Sequence, residues 1–252
     1  MKNFLKKILK SAGYAIYRIK IKNIQHEKQI TREDFFDFYF SHINKEEFFF
    51  VQIGANDGKT NDPIYKYVTK YNLRGIVIEP QPDVFKLLQK NYQNYQKIRC
   101  LNFAIAKKSG FVPFYFVKKS VRNKENFSRL TGLASLNKQT LRKTLKNKIA
   151  KGVISKKMTI DDCIQEKIIK AISFVEMSKE NNIEKIDFLQ IDCEGYDFEI
   201  LKNIDFEKFS PSIINFESQN LSDDDKEECQ KMFEKKGYHW FRSGSDTCMY
   251  KI

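Results

Sequence analysis

The stretch Phe48–Gly58, FFFVQIGANDG, decides the fold when it is taken together with Gly75–Pro80, GIVIEP. The first stretch begins as a continuous apolar run, which is typical of a strand buried on both faces of a parallel sheet. Gly54 and Gly58 follow and bracket a tight turn, because glycine adopts positive φ angles without strain. Asp62–Pro63 then suits the beginning of a helix. The predicted order is therefore strand, glycine turn and helix.

A carboxylate ends the second strand. Glu79 lies about 20 residues beyond the glycine turn, the spacing at which an acid at the tip of a second strand accepts hydrogen bonds from a ribose diol. The turn also lets a ligand approach the backbone closely, since glycine has no Cβ. Either feature alone is common where no ligand binds. Together and in this order, they predict an adenosine-binding half-sheet.

The composition is that of a globular protein. The chain has 252 residues, of which 41% are hydrophobic and 31% are charged, so one domain can bury a core without disulfides. The five cysteines are scattered without a CxxC pair, which favours reduced thiols and a cytoplasmic location and argues against a zinc site. We expect neither a membrane-spanning helix nor a cleavable signal, because lysines interrupt the apolar positions at the N-terminus.

The formal net charge of +13 is concentrated in two segments. Residues 1–22 contain seven Lys or Arg and no acid, whereas residues 118–157 contain thirteen Lys or Arg and one acid. The remainder of the chain is mildly acidic. Because net charge bears on partners rather than on fold, we expect an acceptor that is phosphorylated, nucleotide-linked or lipid-linked.

Two domains of unequal size are predicted: an N-terminal helical segment at 1–45 and a main domain at 46–252. Residues 2–22 place apolar side chains at helical spacing among lysines. Two interpretations of this helix stay open, because it can lie on an anionic membrane surface at the inner face of the membrane or dock on its own domain. Residues 31–42 predict a second helix, whose aromatic face packs on the sheet.

Strands and helices alternate through the main domain, which argues for a parallel sheet. Residues 118–157 form a basic insertion that is either a solvated excursion or a lid over the site. The predicted elements are, in chain order, a strand at 48–53, a helix at 63–71, a strand at 75–79, a helix at 83–93, strands at 98–104 and 111–117, a helix at 138–150, a long helical stretch from 159 to about 182, a strand at 186–191, a helix at 197–203, a strand at 211–217, a helix at 223–236, and two closing strands at 238–241 and 246–252.

A second group of acids follows the buried strand at 186–191. Asp192, Glu194 and Asp197 lie close together there, and Glu217 ends the next strand. Because ligands bind beyond the carboxyl ends of the strands in open α/β sheets, we expect Asp192 and Glu194 to be functional. Asp197 has the alternative explanation of an acid in the first turn of a helix.

Six short segments occur in the order VQIGANDG, IEP, LNFA, TIDD, FLQIDCEGYDFEIL and IINFE, roughly between residues 48 and 220. Together they resemble the FkbM family of S-adenosylmethionine-dependent methyltransferases. The resemblance implies a class I methyltransferase (Rossmann-like) α/β sheet, mostly parallel with an antiparallel last strand, and with helices on both faces. It also implies O-methylation, often of sugar or polyketide hydroxyls. We therefore expect a sugar acceptor in a bacterial-type surface glycan or its precursor, as in polysaccharide biosynthesis.

Carried over to this chain, the resemblance implies a site for S-adenosyl-L-methionine. Gly54–Gly58 would hold the methionine end of the cofactor and Glu79 the ribose hydroxyls, with Asn102 and Ala104 near the adenine. Asp192 and Glu194 would face the sulfonium and the acceptor. The predicted cofactor-binding residues are Gln52, Gly54, Ala55, Asn56, Asp57, Gly58, Glu79, Pro80, Asn102, Ala104 and Asp192.

Two features depart from the family pattern. Many members carry an acid where this chain has Gln52, and an amide can hold the cofactor's ammonium only through its carbonyl oxygen, without a charge. The segment 163–182 is also longer than the usual connection.

A hydroxyl is a poor nucleophile until a base takes its proton, so the candidates for a catalytic base are Asp192, Glu194, Glu217 and His239. The first two rank above the others because they share a stretch with a glycine turn. His239 is a lone histidine in an apolar strand, where a structural role is more common. Three carboxylates could also bind Mg²⁺, although no metal is expected.

Two rival functions are considered. A nicotinamide-dependent oxidoreductase also uses a glycine turn and a strand-end acid, but this turn reads GANDG rather than GxGxxG. Tyr115 and Lys119 have dehydrogenase spacing but fall on a predicted strand, where they lie far apart. An RNA-binding methyltransferase would use the basic insertion, yet no nucleic-acid partner is expected because that insertion lacks interleaved aromatic and basic residues.

Overall fold

The structure is a computed structural model that describes residues 31–124, 130–155 and 157–251. The helix predicted at 2–22 lies outside these ranges. Within them, each helix is too short or too polar to cross a lipid bilayer.

The described part of the chain alternates strands and helices. The strands, in chain order, are β1 (Phe49–Ile53), β2 (Arg74–Ile78), β3 (Ile98–Leu101), β4 (Ala104–Ala106), β5 (Gly110–Val117), β6 (Ala134–Ser135), β7 (Ile164–Ser173), β8 (Phe188–Ile191), β9 (Ile213–Glu217), β10 (His239–Ser243) and β11 (Asp246–Tyr250). The helices are α1 (Arg32–His42), α2 (Tyr65–Tyr71), α3 (Pro82–Tyr92), α4 (Lys119–Lys124), α5 (Lys138–Ala150), α6 (Ile160–Cys163), α7 (Phe174–Glu180), α8 (Asp197–Lys202) and α9 (Asp223–Lys235).

The main sheet has seven strands in the order β10-β11-β9-β8-β1-β2-β3. Every neighbouring pair is parallel except the two made by β11, which runs antiparallel to both β9 and β10. The class I, Rossmann-like sheet with an antiparallel last strand is therefore confirmed.

Helices cover both faces of this sheet because its central strands are apolar on both sides. Helices α1, α2 and α3 pack on one face, where the rings of Phe36 and Phe188 lie 5.2 Å apart between centroids. Helices α7, α8 and α9 pack on the other face around the fully buried Phe233. The predicted aromatic face of α1 is thus part of the core.

A second sheet of four strands, in the order β4-β7-β5-β6, was not predicted. The third strand of the main sheet ends at Leu101 rather than at residue 104, and Ala104–Ala106 pairs in the second sheet instead. This sheet lies beside the carboxyl ends of the main strands and supplies one wall of the site described below.

The long helical stretch predicted from 159 to about 182 is wrong. Helix α6 ends at Cys163, β7 follows, and α7 begins only at Phe174. Strand β7 pairs antiparallel with β5 along eight residues, so long-range pairing with an aromatic strand overrides a local pattern that fits either element. Ile168 and Val175, which the helical pattern placed inward, are 59% and 47% exposed.

Candidate active site

A cavity of about 600 Å³ opens at the carboxyl ends of β1, β2, β8 and β9. Its volume is in the range of small-molecule sites. The cavity lies where the strand order reverses between β1 and β8, and this switch point is where open α/β sheets bind ligands.

The glycine turn after β1 forms the floor of the cavity. Gly54 has φ +77°, and a β-carbon built on it would overlap the backbone carbonyl oxygen of Asp192. The amides of Gly54 and Ala55 donate to the carbonyl oxygen of Ile78, at 3.0 and 2.9 Å. The turn is therefore fastened to β2 on one side and packed against the end of β8 on the other, which only glycine permits.

Glu79 is buried at the end of β2 and organises the neighbouring loops. Its carboxylate accepts hydrogen bonds from the backbone amides of Asn56, at 3.0 Å, and Gln81, at 2.7 Å. Burial raises the pKa of Glu79 to about 7, while the two amide donors act in the opposite direction. The residue therefore changes charge near neutral pH.

Three predicted cofactor contacts do not line the cavity, and their roles in the structure are to shape the loops. Asp57 accepts hydrogen bonds from the amides of Lys59 and Thr60 within the turn. Gly58 has φ +68° and packs closely on α3. Asn102 donates to the carbonyl oxygen of Glu79 at 2.8 Å, and so holds the exit of β2.

Sequence reasoning missed Asp62, which it treated only as a helix cap. Gln52 donates a hydrogen bond of 2.7 Å from Nε2 to Oδ2 of Asp62. The other oxygen of Asp62 accepts from the amides of Ile64 and Tyr65, just before and at the first residue of α2, although the N-cap position itself is Ile64. Both side chains line the cavity, so a carboxylate lies beside the Gln52 amide.

The oxygen of the Gln52 amide, Oε1, is buried and has no hydrogen-bond partner among the described residues. Burial raises the pKa of Asp62, and its hydrogen bonds with Gln52 and the helix amides counter that shift. A buried acceptor without a donor is costly. The pair therefore forms a place for a cationic hydrogen-bond donor at the Gly54 end of the cavity.

The second sheet provides an apolar wall. Pro80 and Ala104 line the cavity, and so do Phe103, Ile105 and Phe114. The sequence pattern did not reveal Phe114, since it comes from β5, which reaches the site only through the second sheet. Such a wall suits a flat ring.

Three carboxylates converge opposite this wall. One oxygen atom each from Asp192, Glu194 and Glu217 lie within 4.8 Å of one another, close enough to share a cation. Asn220 donates to Glu194 at 3.1 Å and to Glu217 at 2.8 Å. Gln219 donates to the second oxygen of Glu217 at 2.7 Å.

The pKa values of all three carboxyl groups are raised. Asp192 is exposed to the cavity, yet protein atoms surround its carboxyl group, so desolvation is the first cause of the raised pKa, and repulsion from Glu217 and Glu194 adds to it. Burial is also the first cause for Glu194 and Glu217. Like charges this close cannot all ionise easily, so the cluster retains protons at higher pH than isolated carboxyl groups do.

Asp197 is a fully buried acid that shapes the turn after β8. Its carboxylate accepts hydrogen bonds from the amides of Cys193 and Gly195. Glu194 and Gly195 both have positive φ angles, of 48° and 90°. The structural interpretation of Asp197 fits these contacts, because the residue holds the turn that presents Glu194.

His239 does not belong to the site. It begins β10 and lies level with Tyr250 of β11, which in turn pairs with Ile213 at the beginning of β9. Glu217 ends that same strand. His239 is therefore at the opposite end of the sheet from the carboxylates, and its prediction as a catalytic base is wrong.

The basic insertion forms the roof of the cavity. A β-carbon on Gly132 would come within 3.0 Å of the Asn56 side chain, and one on Gly195 would come within 2.9 Å of Thr140 in α5. Val153 and the 132–136 loop also line the cavity. The described residues of the insertion thus take the position of a lid rather than of a solvated excursion.

The chain matches a protein-family model over most of its length. The family model named Methyltransferase FkbM domain matches residues 52–239. A search of curated proteins finds no significant match.

Solved structures similar to this chain include three methyltransferases. The methyltransferase FkbM from Methylobacillus flagellatus KT has a TM-score of 0.47 at 15% identity, with 82% of this chain and 43% of that chain covered. The METTL16 methyltransferase domain has a TM-score of 0.45 at 10% identity, with 97% of this chain and 76% of that chain covered. The precorrin-6y C5,15-methyltransferase from Geobacter metallireducens GS-15 has a TM-score of 0.41 at 10% identity, with 92% of this chain and 96% of that chain covered. This chain therefore spans less than half of the first of these proteins.

Proposed function

The chain belongs to the FkbM family of methyltransferases, and on that premise we propose that it uses S-adenosylmethionine to methylate a hydroxyl group of a sugar. The acceptor is a bacterial-type surface glycan or its nucleotide- or lipid-linked precursor. One observation carries the proposal: Gly54, Glu79 and Asp192, far apart in sequence, line a single cavity.

The residues at the cavity fit the cofactor. The glycine turn has no side chain that would block a ligand from the backbone. Glu79 offers carboxylate oxygens to a ribose diol at the end of β2. The apolar wall that contains Phe103 and Ala104 suits an adenine ring.

The Gln52–Asp62 pair fits the ammonium group of the methionine end. Gln52 Oε1 is an unused buried acceptor, and Asp62 adds the negative charge that an amide alone lacks. A charged donor shared between the two would satisfy the buried oxygen and strengthen both hydrogen bonds. We infer that Asp62 replaces the acid that many family members carry at position 52.

When bound, S-adenosylmethionine would supply a methyl group activated by a positively charged sulfur; the carbon–sulfur bond would break as the acceptor oxygen bonds to the methyl carbon, and S-adenosylhomocysteine would leave. The residues of the chain orient the acceptor hydroxyl in line with that methyl group. They also remove the proton of the hydroxyl. A base works best when its pKa is near the working pH, and the pKa of Asp192 is raised.

Asp192 is the base in this proposal, because its carboxylate has no hydrogen-bond donor among the described side chains. Glu194 and Glu217 differ in this respect, since Asn220 and Gln219 donate to them. A carboxylate held by such donors is a weaker proton acceptor. We assign to these two the orientation of the acceptor hydroxyls.

The test is transfer of a labelled methyl group from S-adenosylmethionine to a panel of free sugars, nucleotide sugars, polysaccharides and hydroxylated compounds that are not sugars. We expect a sugar product, and Asp192→Asn lowers kcat about a hundredfold or more. The exposed variant Glu180→Gln serves as the control. Full activity of Asp192→Asn overturns the assignment of the base, and transfer to hydroxyls of non-sugar acceptors alone overturns the acceptor class.

Membership of a methyltransferase family argues against the nicotinamide-dependent oxidoreductase. The geometry agrees, because Tyr115 lies on β5 and Lys119 begins α4, so the two do not share one helix face. Titration with NAD or NADP provides the check, and we expect no binding at concentrations that saturate the site with S-adenosylhomocysteine.

A further inference from the structure

One face of helix α5 is turned into the cavity. Thr144, Asn147 and Lys148 lie on that face at helical spacing, and Lys151 continues it just beyond the last residue of the helix. The four polar residues therefore form a patch on the roof, opposite the carboxylate cluster on the floor.

We propose that Lys148 and Lys151 form a subsite for the phosphate or diphosphate group of the acceptor. The inference rests on the proposed function, because it needs the acceptor hydroxyl to lie beside Asp192. It adds the chemical class of the substrate: a sugar that is esterified to phosphate, bound with its anionic group under α5.

The helix is anchored, so these lysines are not on a freely moving arm. Leu141 and Leu145 project from another side of α5 and are 1% and 0% exposed. They pack with Val117, Leu130 and other apolar residues of the insertion. Asn137 caps the helix at its N-terminus, where its side chain accepts from the amides of residues 139 and 140. A fixed helix holds its ammonium groups at a fixed height over the cavity.

The two lysines are not neutralised by their surroundings. Within the part of the chain that the structure describes, neither has a carboxylate within 4.0 Å, whereas Arg142 on the same helix pairs with Asp161. Lys148 does act at longer range, since its charge lowers the pKa of Glu194 and Glu217. The ammonium group therefore faces the acids across a gap rather than contacting them, and that gap is part of the cavity.

A phosphorylated sugar matches this separation of charge. Its hydroxyl groups suit the carboxylate floor, and its phosphate oxygens suit the lysines of the roof, where charge-assisted hydrogen bonds are strong. A neutral sugar would leave the roof lysines unused. A phosphate turned towards the floor would lie against the carboxyl cluster, where any ionised member repels it.

An RNA chain fits this patch less well. Binding of single strands typically uses a basic groove with aromatic stacking platforms, whereas Lys148 and Lys151 line a cavity of about 600 Å³. Two lysines three residues apart at one place in the lining offer a short cationic patch rather than a groove that follows a strand, so a small anion is the occupant we infer.

The experiment is calorimetric titration of the full chain, saturated with S-adenosylhomocysteine, at an ionic strength of about 0.15 M so that surface charges are screened. The probes are inorganic pyrophosphate, UDP and farnesyl diphosphate, which separate a bare diphosphate from its nucleotide-linked and lipid-linked sources. We expect Lys148→Gln/Lys151→Gln to weaken pyrophosphate binding roughly tenfold or more. The charge-retaining Lys148→Arg/Lys151→Arg keeps most of the affinity.

The matched control is Lys143→Gln/Lys146→Gln. Both residues are exposed on α5 and do not line the cavity, and the double variant removes the same charge. We expect it to bind pyrophosphate within about twofold of wild type. Equal loss in both double variants, or no loss in Lys148→Gln/Lys151→Gln, overturns the subsite. So does a short single-stranded RNA that binds more tightly than any of the three diphosphates and loses affinity in both variants.

The same samples distinguish the two proposals. S-adenosylhomocysteine affinity is expected to be unchanged in both lysine variants. If S-adenosylhomocysteine does not bind wild type, the proposed function fails whatever pyrophosphate does. If S-adenosylhomocysteine binds but the pyrophosphate affinity is the same in wild type and in Lys148→Gln/Lys151→Gln, only the proposal of the anion subsite fails.

Discussion

The backbone carbonyl oxygen of Asp192 occupies the space that a side chain on Gly54 would fill. The amide of Asp192 in turn donates to the carbonyl oxygen of Ile53 at 2.9 Å. The end of β1 and the end of β8 therefore form one packed unit. As a result, the turn that would hold the cofactor and the acid that would act as base are fixed relative to each other.

The first prediction concerns this close approach. Gly54→Ala is expected to destabilise the fold by several kcal/mol, because a β-carbon must push the backbone of β8 away as well as adopt a positive φ. Gly237→Ala is the matched control, since Gly237 has φ +79° and open space around its Cβ position. That variant should lose only about 1–2 kcal/mol. Urea unfolding measures both, and equal losses would contradict the packing argument.

A second prediction tests the role of Asp62. Asp62→Asn removes the charge but keeps the shape, so S-adenosylhomocysteine binding should weaken roughly tenfold through loss of a charge-assisted hydrogen bond. Methylthioadenosine lacks the amino-acid end and is the matched probe. Its affinity should stay within about twofold of wild type, since the loss belongs to the ammonium group alone. The same loss for both ligands would show that Asp62 only supports the loop.

The third prediction is a pH dependence of cofactor affinity. The pKa of Glu79 is raised to about 7, so in the free protein this carboxyl group gains a proton as the pH falls through that value. Ribose hydroxyls donate best to the ionised form, and binding therefore releases a proton on the acid side of pH 7. Affinity for S-adenosylhomocysteine should fall from pH 8 to pH 6 in wild type. In Glu79→Gln it should be weaker and nearly independent of pH, and a flat wild-type profile would contradict the assignment.

The fourth prediction concerns the carboxylate cluster. Repulsion from Glu217 contributes to the raised pKa of both Asp192 and Glu194. Glu217→Gln should therefore shift the acidic limb of the kcat/KM profile to lower pH by roughly one unit. The hydrogen bonds with Gln219 and Asn220 can still form in part, so folding is expected to be preserved. Glu180→Gln is the control and should leave the profile unchanged. If the acidic limb does not shift in Glu217→Gln either, the limb does not report the titration of this carboxylate cluster.

The main sheet and the acids at its strand ends were predictable because their signals are local. The apolar run before Gly54, the strand that ends at Glu79 and the strand that ends at Asp192 each carry their own pattern. Parallel order then brings their carboxyl ends to one edge of the sheet. This reasoning required no knowledge of which helices pack where.

The rest depends on contacts between distant segments. Strand β7 forms because β5 is available to pair with it, and nothing in the residues 164–173 alone distinguishes that outcome from a helix. His239 lies at the wrong end of the sheet because the direction of β10 follows from the way the last hairpin is inserted. The contact of Gln52 with Asp62 and the position of the α5 lysines depend on loop conformation. Loops have no hydrophobic periodicity from which their conformation could be predicted.

A crystal structure of the protein with S-adenosylhomocysteine tests the central claim most directly. The account predicts that the ligand lies in the cavity at the ends of β1, β2 and β8, with its ribose hydroxyls within hydrogen-bond distance of Glu79, its ammonium beside Gln52 and Asp62, and its sulfur on the side of Asp192. A ligand bound elsewhere, or bound in the cavity with Glu79 and Asp192 both out of contact range, would contradict it.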